Sequence, residues 1–177
     1  MSVRSAGPRG MIAVKGDLSN DALRTAACEA AGCDFPESGE ARVSDGQSVL
    51  WMAPDEVLLL IDLDRRGEAL AHLQTMAAGM HVLVEDVSDM RACFVLESAA
   101  VRDVLARVTP ADVSQLGLPA GVVRRTRVGQ VAAAIWLPEE GRAELLCFRS
   151  VSDYVAELLA EAARSEPLGL HHVEREG

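Results

Sequence analysis

The sequence predicts an α+β fold built as two layered halves around a shared core. Short apolar runs alternate with helix-periodic windows, in the order β-α-β-β-α-β and then β-α-β-β-β-α. The run VLLLI (57–61) is apolar on consecutive residues, the pattern of a strand covered on both faces. The chain has 177 residues, 49% of them apolar, which suits one compact unit, 1–177, made of two small halves. A domain near this size buries about 70% of the surface its unfolded chain exposes.

The first half spans 11–88. MIAVKG (11–16) reads as a strand. SNDALRTAACEAAG (19–32) follows as a helix, with Leu23, Ala26, Ala27 and Ala30 at helical spacing. Ser19 or Asn20 caps its start and Gly32 its end. The turn-rich, acidic stretch 33–47 reads as a loop. Two apolar runs then flank Pro54–Asp55, a turn pair, and form a hairpin over 48–62. The helix over 65–79 has Ala69, Leu70, Leu73, Met76 and Ala77 as its expected buried stripe. HVLVEDV (81–87) is the closing strand. This order is the split βαβ, or ferredoxin-like, pattern.

The second half spans 89–165. MRACFVL (90–96) is a strand with Ala92, Phe94 and Leu96 on one face. Ser98 caps a helix over 99–108, lined by Val101, Val104, Leu105 and Val108. A loop, 109–121, leads to three strands, VVRRTRV, QVAAAIWL and AELLCFR, broken at Gly129 and at PEEGR (138–142). The helix over 150–164 turns Val151, Tyr154, Val155, Leu158 and Leu159 inward. The tail, 166–177, is polar and reads as flexible. WMAPDEVLLLID and WLPEEGRAELLCF echo each other: Trp, Pro and paired acids at a hairpin, an apolar strand, then a helix. Duplication explains the echo; so does the common look of hairpins.

The net charge of −10 argues against nucleic acid, because phosphate binding needs a basic footprint. The start, MSVRSAGPRG, has no apolar run after its arginines, and VLLLI is too short to span a bilayer, so a cytoplasmic protein is expected. Cys28, Cys33, Cys93 and Cys147 then read as free thiols. The histidines are His72, His81 and the adjacent His171 and His172, which form no metal-ligand spacing. No nucleophile elbow, HExxH or phosphate loop occurs.

Two clusters remain. RRTR (124–127) is the one dense basic patch, with Arg125 and Arg127 on one face of a strand and Arg124 on the other. It reads equally as a charged edge strand and as a surface for an anionic partner. In VEDVSDMRACFVLES (84–98), Glu85, Asp86 and Asp89 would serve acid–base chemistry only if burial moved a pKa and a partner lay in reach. Asp86 and Asp89 fall at a break between strands, where acids cap and turn the chain, and the structural reading is preferred.

SDMRACFVLESAAVRDVLARVTPADV (88–113) resembles the aminomethyltransferase-like, folate-binding family. WMAPDEVLLL (51–60) resembles a hairpin of one branch, the gamma subunits of heterotetrameric sarcosine oxidases. The similarity runs from about 11 to 165 and takes in RTRVGQVAAAIWL and FRSVSDYVAELL. Ala53, Val57 and Glu97–Ser98 depart from the branch, which has Gly, Trp and a Gly-led turn there.

The resemblance implies a non-catalytic gamma subunit in a complex that demethylates sarcosine to glycine, releases hydrogen peroxide and passes the one-carbon unit to tetrahydrofolate. FAD, FMN, NAD, tetrahydrofolate and zinc are implied for the partner alpha, beta and delta subunits, and none for this chain. The folate transferases of the family carry a catalytic Asp in a GG-x-x-D-D segment. The corresponding place here, VGQVAAAIW (128–136), has no carboxylate. No catalytic, cofactor-binding or metal residue is therefore nominated. The expected contact residues are Arg91, Arg124, Arg125, Arg127 and the tail. The alternatives are a stand-alone folate-binding aminomethyltransferase-like protein and a generic α+β adaptor.

Overall fold

A computed structural model describes residues 2–164. The tail and the His171–His172 pair lie outside the described residues. The elements in chain order begin with β1 (Ser2–Ser5), β2 (Gly10–Lys15), α1 (Asp21–Ala31), β3 (Ala41–Ser44), β4 (Gln47–Ala53) and β5 (Glu56–Ile61). Then come α2 (Arg66–Met76), β6 (Leu83–Asp86), β7 (Arg91–Glu97), α3 (Val101–Val108), β8 (Val123–Val128), β9 (Val131–Glu139), β10 (Arg142–Phe148) and α4 (Ser152–Arg164). They form two five-stranded antiparallel sheets, ordered β3-β4-β5-β2-β6 and β8-β9-β10-β7-β1.

The two orders match strand for strand. Each half runs strand, helix, three strands, helix. In the first half β6 returns to pair with β2. In the second half the equivalent place beside β7 is taken by β1, from the other end of the chain, in the register Ser2↔Glu97 to Ser5↔Phe94. The echo between the two hairpins is thus an echo of architecture. The halves are not separable at 88/89, because the second sheet borrows its edge strand.

Burial explains the consecutive apolar runs. In β5, Val57, Leu59 and Ile61 face α1 and α2, while Leu58 and Leu60 face the other sheet. In β10, Leu145 and Cys147 face α3 and α4, and Leu146 faces the other sheet. Each sheet therefore lies between a helical layer and its twin, and a solvent-facing alternation of polar residues has no place in the central strands. The middle layer packs Met11, Leu50, Leu58 and Leu60 against Cys93, Val123, Ala134, Trp136 and Leu146.

α1 forms as its sequence dictates. The Asn20 side chain accepts from the Leu23 amide at 3.1 Å, and Gly32, at φ 68°, ends the helix in the left-handed region. Leu23, Ala26, Ala27 and Ala30 are buried, with Ala31 beside them. In α3 the expected Val101, Val104, Leu105 and Val108 are all buried. Its Arg102 donates to the carbonyls of Val113, Ser114 and Leu118 at 2.7–3.1 Å, which fixes the 109–121 loop.

Five expectations need correction, the first at α3, which starts at Val101 with Ala100 at its N-cap and no side-chain cap, the Ser98 hydroxyl accepting instead from the Ala100 amide at 3.1 Å. Residues 41–44, read as loop, form β3: a four-residue edge strand needs only one partner, and Ala41 alone of its side chains is buried. Ser2–Ser5 form a strand although they carry no apolar pattern, for the same reason. Met76 is 39% exposed. The buried row of α2 is Ala69 and Leu73, continued by Ala77, at i, i+4 spacing, and position 76 lies off it. Tyr154 is 44% exposed. It lies over the β8–β9 turn, where a Cβ on Gly129 (φ 56°) would run into its hydroxyl and Leu158.

At the joint between the halves one acid of the 84–98 stretch, Asp86, holds the chain through its carboxylate, and Asp89 takes part only through its backbone carbonyl. Asp86 accepts from the Ser88 hydroxyl at 2.5 Å and the Ser88 amide at 3.0 Å, and pairs with Arg66 at 3.2 Å. The Ser88 hydroxyl oxygen accepts from the Met11 amide at 2.9 Å. From the other side, the Arg149 guanidinium donates to the carbonyls of Ser88, Asp89 and Arg91. Burial pushes the Asp86 carboxyl up, but the Ser88 hydrogen bonds and Arg66 outweigh it, and it is held below its ordinary 3.8. Its folded pKa is depressed, so its stabilisation is present above the unfolded value and lost as pH falls through the folded one. Asp86→Asn should cost about 1 kcal/mol at neutral pH, after allowance for solvent screening. In urea unfolding, the gap from wild type should close as pH falls below 3.8.

Candidate functional site

The inter-sheet layer is packed in its middle and open at one end. There a cavity of about 80 Å³ is lined by Met52, Arg91, Arg125, Ala132, Ala134, Leu146 and Phe148, among others. Its geometry follows from strand parity. On β7, Ala92, Phe94 and Leu96 face the helices, so Arg91 shares the inter-sheet face with Cys93. On β8, Val128 faces the helices and Val123 faces the other sheet, so Arg125 and Arg127 also point between the sheets. Arg91 is the cross-strand partner of Phe148, and Arg125 that of Ala134.

β7 and β8 are three strands apart in the order β7-β10-β9-β8, a separation of about 14 Å at the usual strand spacing. Two long arginine side chains line one cavity across that width because the inter-sheet positions of β9 between them are Ala132 and Ala134. Larger side chains there would fill the space. The alanine run of β9 is therefore what opens the cavity.

The two guanidiniums are under-used. Arg125 donates once, to the Met52 carbonyl at 2.9 Å. Among the described residues Arg91 makes no side-chain hydrogen bond and no ion pair within 4.0 Å; its guanidinium lies 5.5 Å from the centre of the Phe148 ring. Burial lowers the Arg91 pKa from its ordinary value, Glu56 opposes the shift, and the like charge of Arg125 adds to it. Phe148, which lines the opening, is 47% exposed.

Of the four arginines singled out in the sequence, the structure brings Arg91 and Arg125 together. Arg124 turns to the opposite face and donates to the Gly117 carbonyl at 2.6 Å. Arg127 shares the face of Arg125 but does not line the cavity. β8 is an edge strand. Met52, Ala132, Ala134 and Phe148 were not singled out; the only sequence signal was the interrupted bulk of VAAAIW. Among the described residues no three His, Cys, Asp or Glu side chains converge on a metal position, and no helix is long and apolar enough to cross a membrane.

The profile of the sarcosine oxidase, gamma subunit family matches residues 15–165. The chain belongs to that family. The fold agrees with that membership. A heterotetrameric sarcosine oxidase from Corynebacterium sp. U-96 superposes with a TM-score of 0.82 at 23% identity, over 91% of this chain and 82% of that one. Aminomethyltransferase T of the glycine cleavage system from Bartonella henselae superposes at 0.69 and 18% identity, over 93% of this chain and 46% of that one. The gamma-subunit fold thus spans about half of the transferase. The regulatory subunit of aspartate kinase from Thermus thermophilus reaches 0.52 at 10% identity, a likeness of fold. No curated protein matches the sequence.

The transferase fold raises the question of a folate. The cavity beside 128–136 has no carboxylate in its lining and holds about 80 Å³, far below the roughly 300 Å³ or more of pockets for drug-sized ligands. These residues do not fit a folate, and no step is routed through one.

Proposed function

We propose that this gamma subunit works within a heterotetrameric sarcosine oxidase, with alpha, beta and delta partners, as a structural subunit that does no chemistry itself. The observation that carries the reading is the family match over 15–165. In the proposed complex the partners oxidise sarcosine to glycine and hydrogen peroxide and pass the one-carbon unit to tetrahydrofolate, and they hold the FAD, FMN, NAD, folate and zinc. The gamma subunit contributes apolar and arginine-bearing surface that fixes the partners' relative position. Obligate interfaces of this kind bury roughly 2,000 Å² or more.

The test is co-expression with the three partner chains from the same source. The gamma subunit should co-elute with them in fixed stoichiometry, and sarcosine-dependent peroxide release should travel with the complex. Omitting the gamma subunit should lower the yield of assembled complex at least about tenfold, as loss of an obligate interface does. Full assembly and full activity without it would overturn the reading, as would sarcosine turnover by the gamma subunit alone. A folate-binding aminomethyltransferase activity is disfavoured by the absence of an acid in 128–136.

A further inference from the structure

We propose that the Arg91–Arg125 cavity is a binding site for a single carboxylate group. Two positive charges face one opening and only one carboxylate, Glu56, acts on Arg91. The local balance is one positive charge in a chain whose net charge is −10. A monoanion neutralises that balance; a phosphate dianion overshoots it and meets Glu56.

The donor geometry suits the same ligand. Arg91 has its whole guanidinium fork unengaged by hydrogen bonds, and Arg125 uses one donor of its fork, on Met52. A planar guanidinium offers paired parallel donors that match a carboxylate. The rest of the lining is small and apolar: Ala132, Ala134, Leu146 and the Phe148 ring. At about 80 Å³ the cavity admits a carboxylate on a short carbon stem and excludes a large organic acid. Binding relieves two costs already present in the empty site, the repulsion between the guanidiniums and the half-burial of Arg91 without a hydrogen-bond partner.

Two sources can supply such a group: a small free monocarboxylate, or an Asp or Glu side chain of a neighbouring subunit. The second source rests on the proposed complex; the first does not. The experiment therefore has two arms. In the first, the isolated full chain is titrated with acetate to about 100 mM against sodium chloride at matched ionic strength, which holds screening constant. Arginine Nε–H resonances are the readout, with sulfate and phosphate as competing anions. Free-ligand binding predicts saturable shifts at Arg91 and Arg125. Arg91→Gln or Arg125→Gln should weaken it roughly 10- to 100-fold, the range for lost charge-assisted hydrogen bonds. Arg124→Gln, on the opposite face, should leave it unchanged.

In the second arm, Arg91→Gln/Arg125→Gln is co-expressed with the partner chains, beside wild type. If wild type assembles and the double variant dissociates at least about tenfold more readily while its thermal midpoint alone is unchanged, the carboxylate comes from a partner. Failure of wild type to assemble refutes the proposed function and leaves the first arm to decide the site. No acetate-dependent shift together with unaltered assembly overturns the proposal. Tighter binding of sulfate or phosphate than acetate at both arginines overturns the assignment to a carboxylate.

Discussion

Trp136→Ala should destabilise the chain by about 3–5 kcal/mol, the range for truncating a fully buried Trp. Trp136 is 0% exposed and lies in the layer between the two sheets with Met11, Leu50, Leu58 and Leu60. No other aromatic residue is among the buried residues described for that layer, so neighbouring aliphatic side chains would have to collapse into the space it leaves. For a chain of this size the thermal midpoint should fall by about 6–20 °C. Trp136→Phe should cost far less, under about 1.5 kcal/mol. The indole Nε1–H has no hydrogen-bond partner among the described residues, so phenylalanine keeps most of the ring and removes an unsatisfied donor. Guanidinium unfolding of the two variants measures both. Equal midpoints for Trp136→Ala and wild type would mean that the sheets do not pack through this residue.

The second large effect is at Glu144. It faces the same layer at 4% exposure, where sequence alternation puts Leu146 and, on the neighbouring strand, Trp136. It is buried because two arginines reach it: Arg9 at 3.0 Å and Arg142 at 2.7 Å. Arg9 also donates to the Gly46 carbonyl at 2.5 Å, so the cluster ties the β1–β2 connection to the β3–β4 turn and to β10. Glu144→Ala leaves the two guanidiniums without their shared anion and should cost about 3–5 kcal/mol. Replacing Arg9, Glu144 and Arg142 together with apolar residues of similar volume should be neutral or stabilising by up to about 4 kcal/mol. A triple variant no more stable than Glu144→Ala would refute the account. Cys93, whose sulfur lies 3.9 Å from Glu144, reports the same environment: burial, then the Glu144 charge, pushes its thiol up to about 12.

The sequence made legible what local physics decides. VLLLI announced a strand covered on both faces because both alternate sets of side chains had to be apolar. Asn20 and Gly32 marked the ends of α1 because capping is a property of a few adjacent residues. The stripe of α3 was read completely. β1 and β3 were not legible, because an edge strand with one partner is specified by the strand it joins and not by its own composition. Met76 and Tyr154 failed because a helix's buried arc depends on the width of what it covers. The cavity was half legible: RRTR and Arg91 stood out as charge, but nothing local says that strands three apart carry side chains that line one cavity. Ala132 and Ala134 read as a missing acid when they are also the room that two arginines line.

The swapped strand orders the folding of the chain in time. During synthesis β1 emerges about 90 residues before the segment it pairs with, Phe94–Glu97. At about 5–20 residues per second it waits roughly 5–20 s on the ribosome with its backbone unpaired. The first half can close meanwhile, since β6 follows directly behind it. β1, which is made before the other described strands, is thus among the last of them to dock, and its polar composition, SVRS, suits a strand that waits in water.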